Sequence, residues 1–173
     1  TAFEALKSIH GSGRSAADVH IVCTGRTDDT RYPAYFEDLT KKVHRLGIGN
    51  RVHFLGHIPK QDQIQIMRRS VAVLQPTQFE GSPGGLSVSD AVAIGIPAIV
   101  SDIPVNREIK EKNVFFFKPG DNVDLEKNMR AILDSDSPCP DKEELLRNGL
   151  DRQMRMGERL LEAICSILEQ SFP

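Results

Sequence analysis

A doubly wound α/β domain built on a parallel sheet is the fold this sequence predicts. Short, β-branched apolar runs alternate with stretches of helical spacing through residues 1–134, and parallel neighbours require such crossover connections. The runs are apolar at consecutive positions, as in V-A-V-L at 71–74, which suits strands covered on both faces. Loops rich in glycine and proline follow the runs, at the sheet edge where such folds take their ligands.

The elements follow in order. Residues 1–10 have the pattern of an amphipathic helix and read as its middle, so a strand that feeds it is expected earlier in the polypeptide. V-H-I-V-C at 19–23 is a strand ending in Thr24-Gly25. Residues 34–46 place Phe36, Leu39, Val43 and Leu46 on one helical face, and Gly47 ends that helix. R-V-H-F-L at 51–55 is the next strand, closed by Gly56, and residues 61–69 form a short helix carrying Ile64, Ile66 and Met67. A third strand lies at 71–74, a helix at 86–94 ending at Gly95, a fourth strand at 98–100, and one or two helical turns at 106–110. Residues 114–117 make a fifth strand, with Phe115, Phe116 and Phe117 expected in the core, and 123–133 a helix. A Ser/Asp/Pro-rich linker at 134–140 leads to a helical region at 142–168. The reading is one domain over 1–173, its core about 1–134 and a C-terminal helical region at 141–173.

Composition narrows the function classes. A formal net charge of -2 gives no bulk attraction for nucleic acid or an anionic membrane. The longest apolar stretch, 91–100, falls short of the roughly 20 residues a membrane helix needs and is broken by Gly95 and Pro97. The first residues do not read as a secretory leader. Three widely spaced cysteines, Cys23, Cys139 and Cys165, form neither a disulfide framework nor a zinc knuckle. Cys23 reads as an inert strand thiol, and a cytoplasmic location is expected, with peripheral attachment at the inner face of the membrane open to the full-length protein.

The chemistry concentrates in Q-P-T-Q-F-E-G-S-P-G-G-L-S-V-S-D-A, residues 75–91. This segment leaves a strand and opens a helix. Gly81, Gly84 and Gly85 allow close backbone approach to a ligand, and the free N–H groups of the helix start suit a phosphate. Glu80 precedes the glycines and Asp90 lies inside the helix, where an unpaired charge among apolar neighbours is costly. A carboxylate so placed accepts strong hydrogen bonds from vicinal hydroxyls. Gly56-His57-Ile58-Pro59 is a second loop at the same edge, and Pro59 also suits a helix start. His53 and His57 sit on a strand and its following loop, not on one helix face, so no metal pair is expected. Arg26 reads as a surface residue, and Asn106, Arg107 and Glu108 as a helix start with solvated charges.

F-E-G-S-P-G-G-L-S-V-S-D-A-V-A-I-G-I-P-A-I-V-S-D-I-P resembles the signature of glycosyltransferase family 4, the group 1 glycosyltransferases, in a mannosyltransferase-like form. N-R-V-H-F-L-G-H-I-P at 50–59 and V-N-R-E-I at 105–109 extend the resemblance over about 18–134. It implies the C-terminal, Rossmann-like half of a GT-B fold and a retaining transfer of a hexose from a GDP- or UDP-linked sugar to an acceptor hydroxyl. It implies that Glu80 faces the donor sugar, that Asp90 holds the ribose, and that amides of Gly84, Gly85, Leu86 and Ser87 receive the diphosphate. His57 and Ile58 would wall the base pocket, and Glu108 would lie near the cleft. The sequence departs from the pattern at the second acid: nine residues separate Glu80 from Asp90, where the family usually has seven between two glutamates.

The resemblance also implies an Arg and a Lys on a loop before Thr1, and an N-terminal domain that binds a carbohydrate or lipid-linked acceptor. Without them the sheet is expected to hold an open slot at its centre, and the chain alone to be inactive. Neither cofactor nor metal is expected. The partners are the nucleotide-sugar donor and, through the other domain, the acceptor, as in polysaccharide biosynthesis. Two competing readings are a non-catalytic nucleotide-sugar-binding module and a nucleotide-sugar 2-epimerase. A dinucleotide oxidoreductase is disfavoured, because no G-x-G-x-x-G follows a strand.

Overall fold

The computed structural model describes residues 1–9, 19–135 and 142–171, with side chains over 143–168 in the last stretch. The chain divides into two compact units, Thr1–Ser137 and Pro138–Pro173. The first contains α1 (Ala2–Ser8), β1 (Ile21–Thr24), α2 (Tyr35–Leu46), β2 (Val52–Gly56), α3 (Lys60–Arg68), β3 (Val73–Gln75), α4 (Gly85–Ala93), β4 (Ala98–Ser101), β5 (Val114–Phe117) and α5 (Asn122–Leu133). Short 3-10 turns at Gly49–Arg51 and Pro104–Glu108 precede β2 and follow β4. The second unit contains α6 (Lys142–Ser171), one uninterrupted helix of 30 residues.

All strand pairs are parallel, as the alternation predicts. They form two sheets: β1-β2, and β3-β4-β5 with β4 in the centre. In β4 the side chains alternate between two cores. Ile99 joins Ala5, Ile9, Phe117, Leu125, Met129 and Ile132, under α1 and α5. Ala98 and Val100 join Val88, Ala91 and Val92, under α4. Helices therefore cover both faces of this sheet, and among the described strands β4 alone is buried along its whole length. Against β1-β2, Phe3 and Leu6 of α1 pack with Val43, Ile48 and Val52. Helix α1 thus contributes to the cores of both sheets.

Among the described residues no strand lies between β1 and β3. In its place is a cavity of about 890 Å³, walled by residues that include Ile21 and Cys23 on one side and Val73 and Leu74 on the other. This is the open slot expected from the sequence. Within the second unit, α6 keeps Leu146, Leu150, Met154, Leu161 and Ile164 exposed.

Several local expectations shift. The third strand begins at Val73, not at 71, because pairing starts where Val73 donates to the Pro97 carbonyl at 2.8 Å, and Val71 is left exposed. The three phenylalanines do not all enter the core. Phe117 is buried, whereas Phe115 and Phe116 are more than a third exposed, since β5 is the edge strand of its sheet. The first helix ends at Ser8, and residue 10 lies outside the described residues, as do 136–140 of the expected linker, Cys139 among them. Cys23 is free and half-buried, and burial pushes its thiol up, in line with an inert role.

Candidate functional site

Because the strands run parallel within each sheet, their C-terminal ends share that sheet's edge, and the chemistry-bearing loops leave from there. Gln75 ends β3 and opens the loop to α4; Ser101 ends β4 and opens the turn that carries Asn106. The loops after β1 and β2 are joined directly, with the Gly25 amide donating to the Gly56 carbonyl at 2.9 Å.

The loop at 76–84 folds back on itself through a left-handed pair, Gly84 at φ 65 and Gly85 at φ 62. Only glycine fits here without strain. A Cβ on Gly84 would lie 2.6 Å from Val88 Cβ, and one on Gly85 would lie 3.3 Å from Glu80 Oε2. The pair therefore brings the backbone against the Glu80 carboxylate. Glu80 itself is half-buried and accepts from Gln75 Nε2 at 2.5 Å. Gly81, the third glycine of the loop, is not among the residues of positive φ.

The amides sort into two kinds, which corrects the expectation that four adjacent ones would receive a diphosphate. The Gly84 amide donates to Asn106 Oδ1 at 2.8 Å, and the Gly85 amide to the Ser82 carbonyl at 3.1 Å. Both are committed inside the protein. Leu86 and Ser87 occupy the first turn of α4, which no intrahelical carbonyl reaches, and their amides find no acceptor among the described residues. The helix dipole adds partial positive charge at the same place. Two donors, not four, remain for an anion.

Asp90 is partnered, which meets the cost that an unpaired charge among apolar neighbours would carry. Lys60 Nζ, at the start of α3, forms an ion pair with it, with side-chain exposures of 53% and 23%. The partner was missed in the sequence because thirty residues separate the two. The pair also brings the segment after His57 and Ile58 to α4. His57 is exposed and lines a small cavity of about 290 Å³ with Arg26, Thr27 and Asp28. Arg26 is exposed and held by Asp28, whose carboxyl lies below its ordinary range through that hydrogen bond. His53 is paired with His20, the residue just before β1, ring nitrogens 2.8 Å apart, and not with His57.

The two cavities do not coincide with all of these groups. Ser87 and Thr77 line the large slot, whereas Glu80 and Asp90 line neither cavity. The Thr77 hydroxyl is buried and has no partner among the described residues. Asn106 was read from sequence as part of a solvated helix start; it is instead fully buried, at 0% exposure. Arg107 and Glu108 are exposed, Arg107 in a two-point pair with Asp102.

The family model described as "Glycosyl transferases group 1" matches residues 1–152. The O-antigen chain mannosyltransferase RfbU of Salmonella typhimurium is 30% identical over 121 residues, covering 70% of this chain and 31% of RfbU. A mouse protein named PAT1 homolog 1 is 32% identical over 148 residues, covering 82% of this chain and 18% of that protein. Among solved structures, Anabaena HepE in complex with UDP-glucose superposes with a TM-score of 0.66 at 22% identity, covering 77% of this chain and 34% of HepE. Likeness at that identity establishes the fold. The chain spans about a third of RfbU and of HepE. The extent of the family match, together with the parallel sheet and the glycine loop at its edge, places this chain in the group 1 glycosyl transferases.

Proposed function

We propose that this chain is the donor-binding part of a retaining glycosyltransferase that moves a hexose from a GDP- or UDP-linked sugar to an acceptor hydroxyl. One observation carries the reading: the uncommitted Leu86 and Ser87 amides at the head of α4 stand beside a carboxylate, Glu80, that the left-handed glycine pair holds close. In the reaction the bond between the anomeric carbon and the diphosphate breaks, and negative charge gathers on the departing phosphate. Fixed N–H donors and a helix dipole stabilise that charge without reorganising, which is the usual main source of rate enhancement. Glu80 faces the sugar side. Asp90 accepts from the ribose hydroxyls once Lys60 yields one of its oxygens, and His57 and Ile58 border the base. The unpartnered Thr77 hydroxyl offers one further contact for a polar ligand atom.

Two similar proteins support the donor class. RfbU is named a mannosyltransferase, and HepE was solved with UDP-glucose. The acceptor is a carbohydrate or lipid-linked carbohydrate of polysaccharide biosynthesis, bound by another domain. No described helix is long and apolar enough to cross a membrane.

A thermal-shift panel tests the proposal. A nucleoside diphosphate or its sugar at a hundred times its Kd should add about 2.7 kcal/mol of stability. Uridine and guanosine, lacking phosphate, should add nothing measurable at equal concentration. Equal response to nucleosides and diphosphates, or none to UDP, GDP, UDP-glucose and GDP-mannose, refutes it.

A further inference from the structure

We propose that Asn106 is a positioning residue that sets the shape of the donor loop. The inference rests on the proposed donor site. Asn106 is fully buried, in the turn Pro104–Glu108 after β4, and belongs to a different element from the loop it holds. Its carboxamide works at both ends. Oδ1 accepts from the Gly84 amide at 2.8 Å, and Nδ2 donates to the Ser101 carbonyl, the last of β4, at 2.9 Å. The loop is thereby tied to the end of the central strand.

Physical chemistry makes this bond selective. A buried carboxamide left half-satisfied loses the hydration it gave up and gains nothing in return, so alternative loop shapes that move the Gly84 amide away are penalised. Packing reinforces the tie. The hypothetical Cβ at Gly84 would lie 3.0 Å from Ile109 Cδ1, and the Ile109 amide itself donates to the Asn106 carbonyl at 3.0 Å. The opposite end of the loop is held from the neighbouring strand, where Gln75 donates to Glu80. The Ser101 hydroxyl reaches the Gln75 carbonyl at 3.5 Å, so both anchors meet at the ends of β3 and β4. Gly84 is used as the fixed point, and the next free amides, Leu86 and Ser87, are aimed from it. Asn106 touches no substrate in this scheme. It acts through the backbone.

The test uses three variants of this chain: Asn106→Ala, Asn106→Asp and, as a remote control in the core, Leu125→Ala. UDP affinity is measured by calorimetry at a temperature where each is folded, and amide exchange is followed at Gly84 and Ile99. Asn106→Ala should weaken UDP by about tenfold, the equivalent of 1.4 kcal/mol. Asn106→Asp keeps the acceptor for Gly84 and should recover most of that loss, although it lowers the melting temperature. Leu125→Ala should lower the melting temperature and leave the affinity unchanged. Without ligand, exchange at Gly84 should accelerate more in Asn106→Ala than exchange at Ile99. Equal UDP affinity in wild type and Asn106→Ala overturns the inference, and so does equal acceleration at Gly84 and Ile99. If wild type binds no nucleotide, the donor-site reading falls, and the exchange at Gly84 still decides whether Asn106 holds the loop.

Discussion

Adding one methyl group at Gly84 separates the structural role of the glycine loop from its chemical role when set beside the same change at Gly85. Both residues are left-handed, at φ 65 and φ 62, and an L-residue held there costs about 1–2 kcal/mol. Their surroundings differ. At Gly84 the new Cβ would stand 2.6 Å from Val88 Cβ and 2.8 Å from its Cγ1, and Val88 is fixed by the helix it belongs to. Relieving such overpacking costs about 1–3 kcal/mol more. At Gly85 the nearest atom is Glu80 Oε2 at 3.3 Å, the tip of a side chain that can swing aside. Gly84→Ala should therefore lose about 2–5 kcal/mol, and Gly85→Ala only the backbone part. For a unit of this size each kcal/mol lowers the melting temperature by about 2–4 °C, so Gly84→Ala should fall by roughly 10 °C. Circular dichroism on heating, with denaturant titration for the free energy, measures both. Gly85→Ala should stay within about 8 °C of wild type yet bind nucleotide sugar less well, because Glu80 has moved. A Gly84→Ala protein as stable as wild type, or two variants of equal stability, would show that the left-handed pair and the Val88 contact are not what shapes this loop.

Three other outcomes follow from the same geometry. Glu80→Gln in the full-length protein should abolish transfer and leave the melting temperature nearly unchanged, and transfer at the wild-type rate refutes the role of Glu80. Asp90→Ala should weaken UDP binding by about tenfold, in the range of a lost charge-assisted hydrogen bond, while inorganic pyrophosphate binds as before. A matched loss for pyrophosphate would put Asp90 at the phosphates, not at the ribose. Cys165, exposed, should react with iodoacetamide at mildly alkaline pH well before Cys23, read by peptide mass spectrometry, since burial raises the Cys23 thiol. The same shift has a sign for stability: the contribution of Cys23 is whole below the pKa it has when unfolded and declines as pH climbs from there toward the raised folded value.

How much of this was legible beforehand depends on whether the governing interaction is local. The helix ends, the parallel sheet and the glycine loop at the head of a helix are written in short-range patterns: the alternation of apolar runs, the spacing of Phe36, Leu39, Val43 and Leu46, and the position of Gly47, which is left-handed at φ 70 as a helix stop should be. Strand limits were less legible. Val71 is as apolar as Val73, yet β3 begins only at Val73, where the Pro97 carbonyl just before β4 is in reach of its amide. The exposure of Phe115 and Phe116 likewise follows from β5 standing at a sheet edge, which no residue of β5 encodes.

The candidate site divides along the same line. By itself the sequence determined which residue types stand at the edge of the sheet: Glu80, Asp90, a run of glycines, and a helix start able to face an anion. Tertiary structure alone decided which of those groups remain free. Lys60 neutralises Asp90 from another helix, Asn106 takes the Gly84 amide from another loop, and Ser82 takes that of Gly85, leaving Leu86 and Ser87 as donors. The physical reason is that hydrogen-bonding capacity is a sum over spatial neighbours. A motif fixes what a group can offer, and only the folded chain fixes what has already been taken.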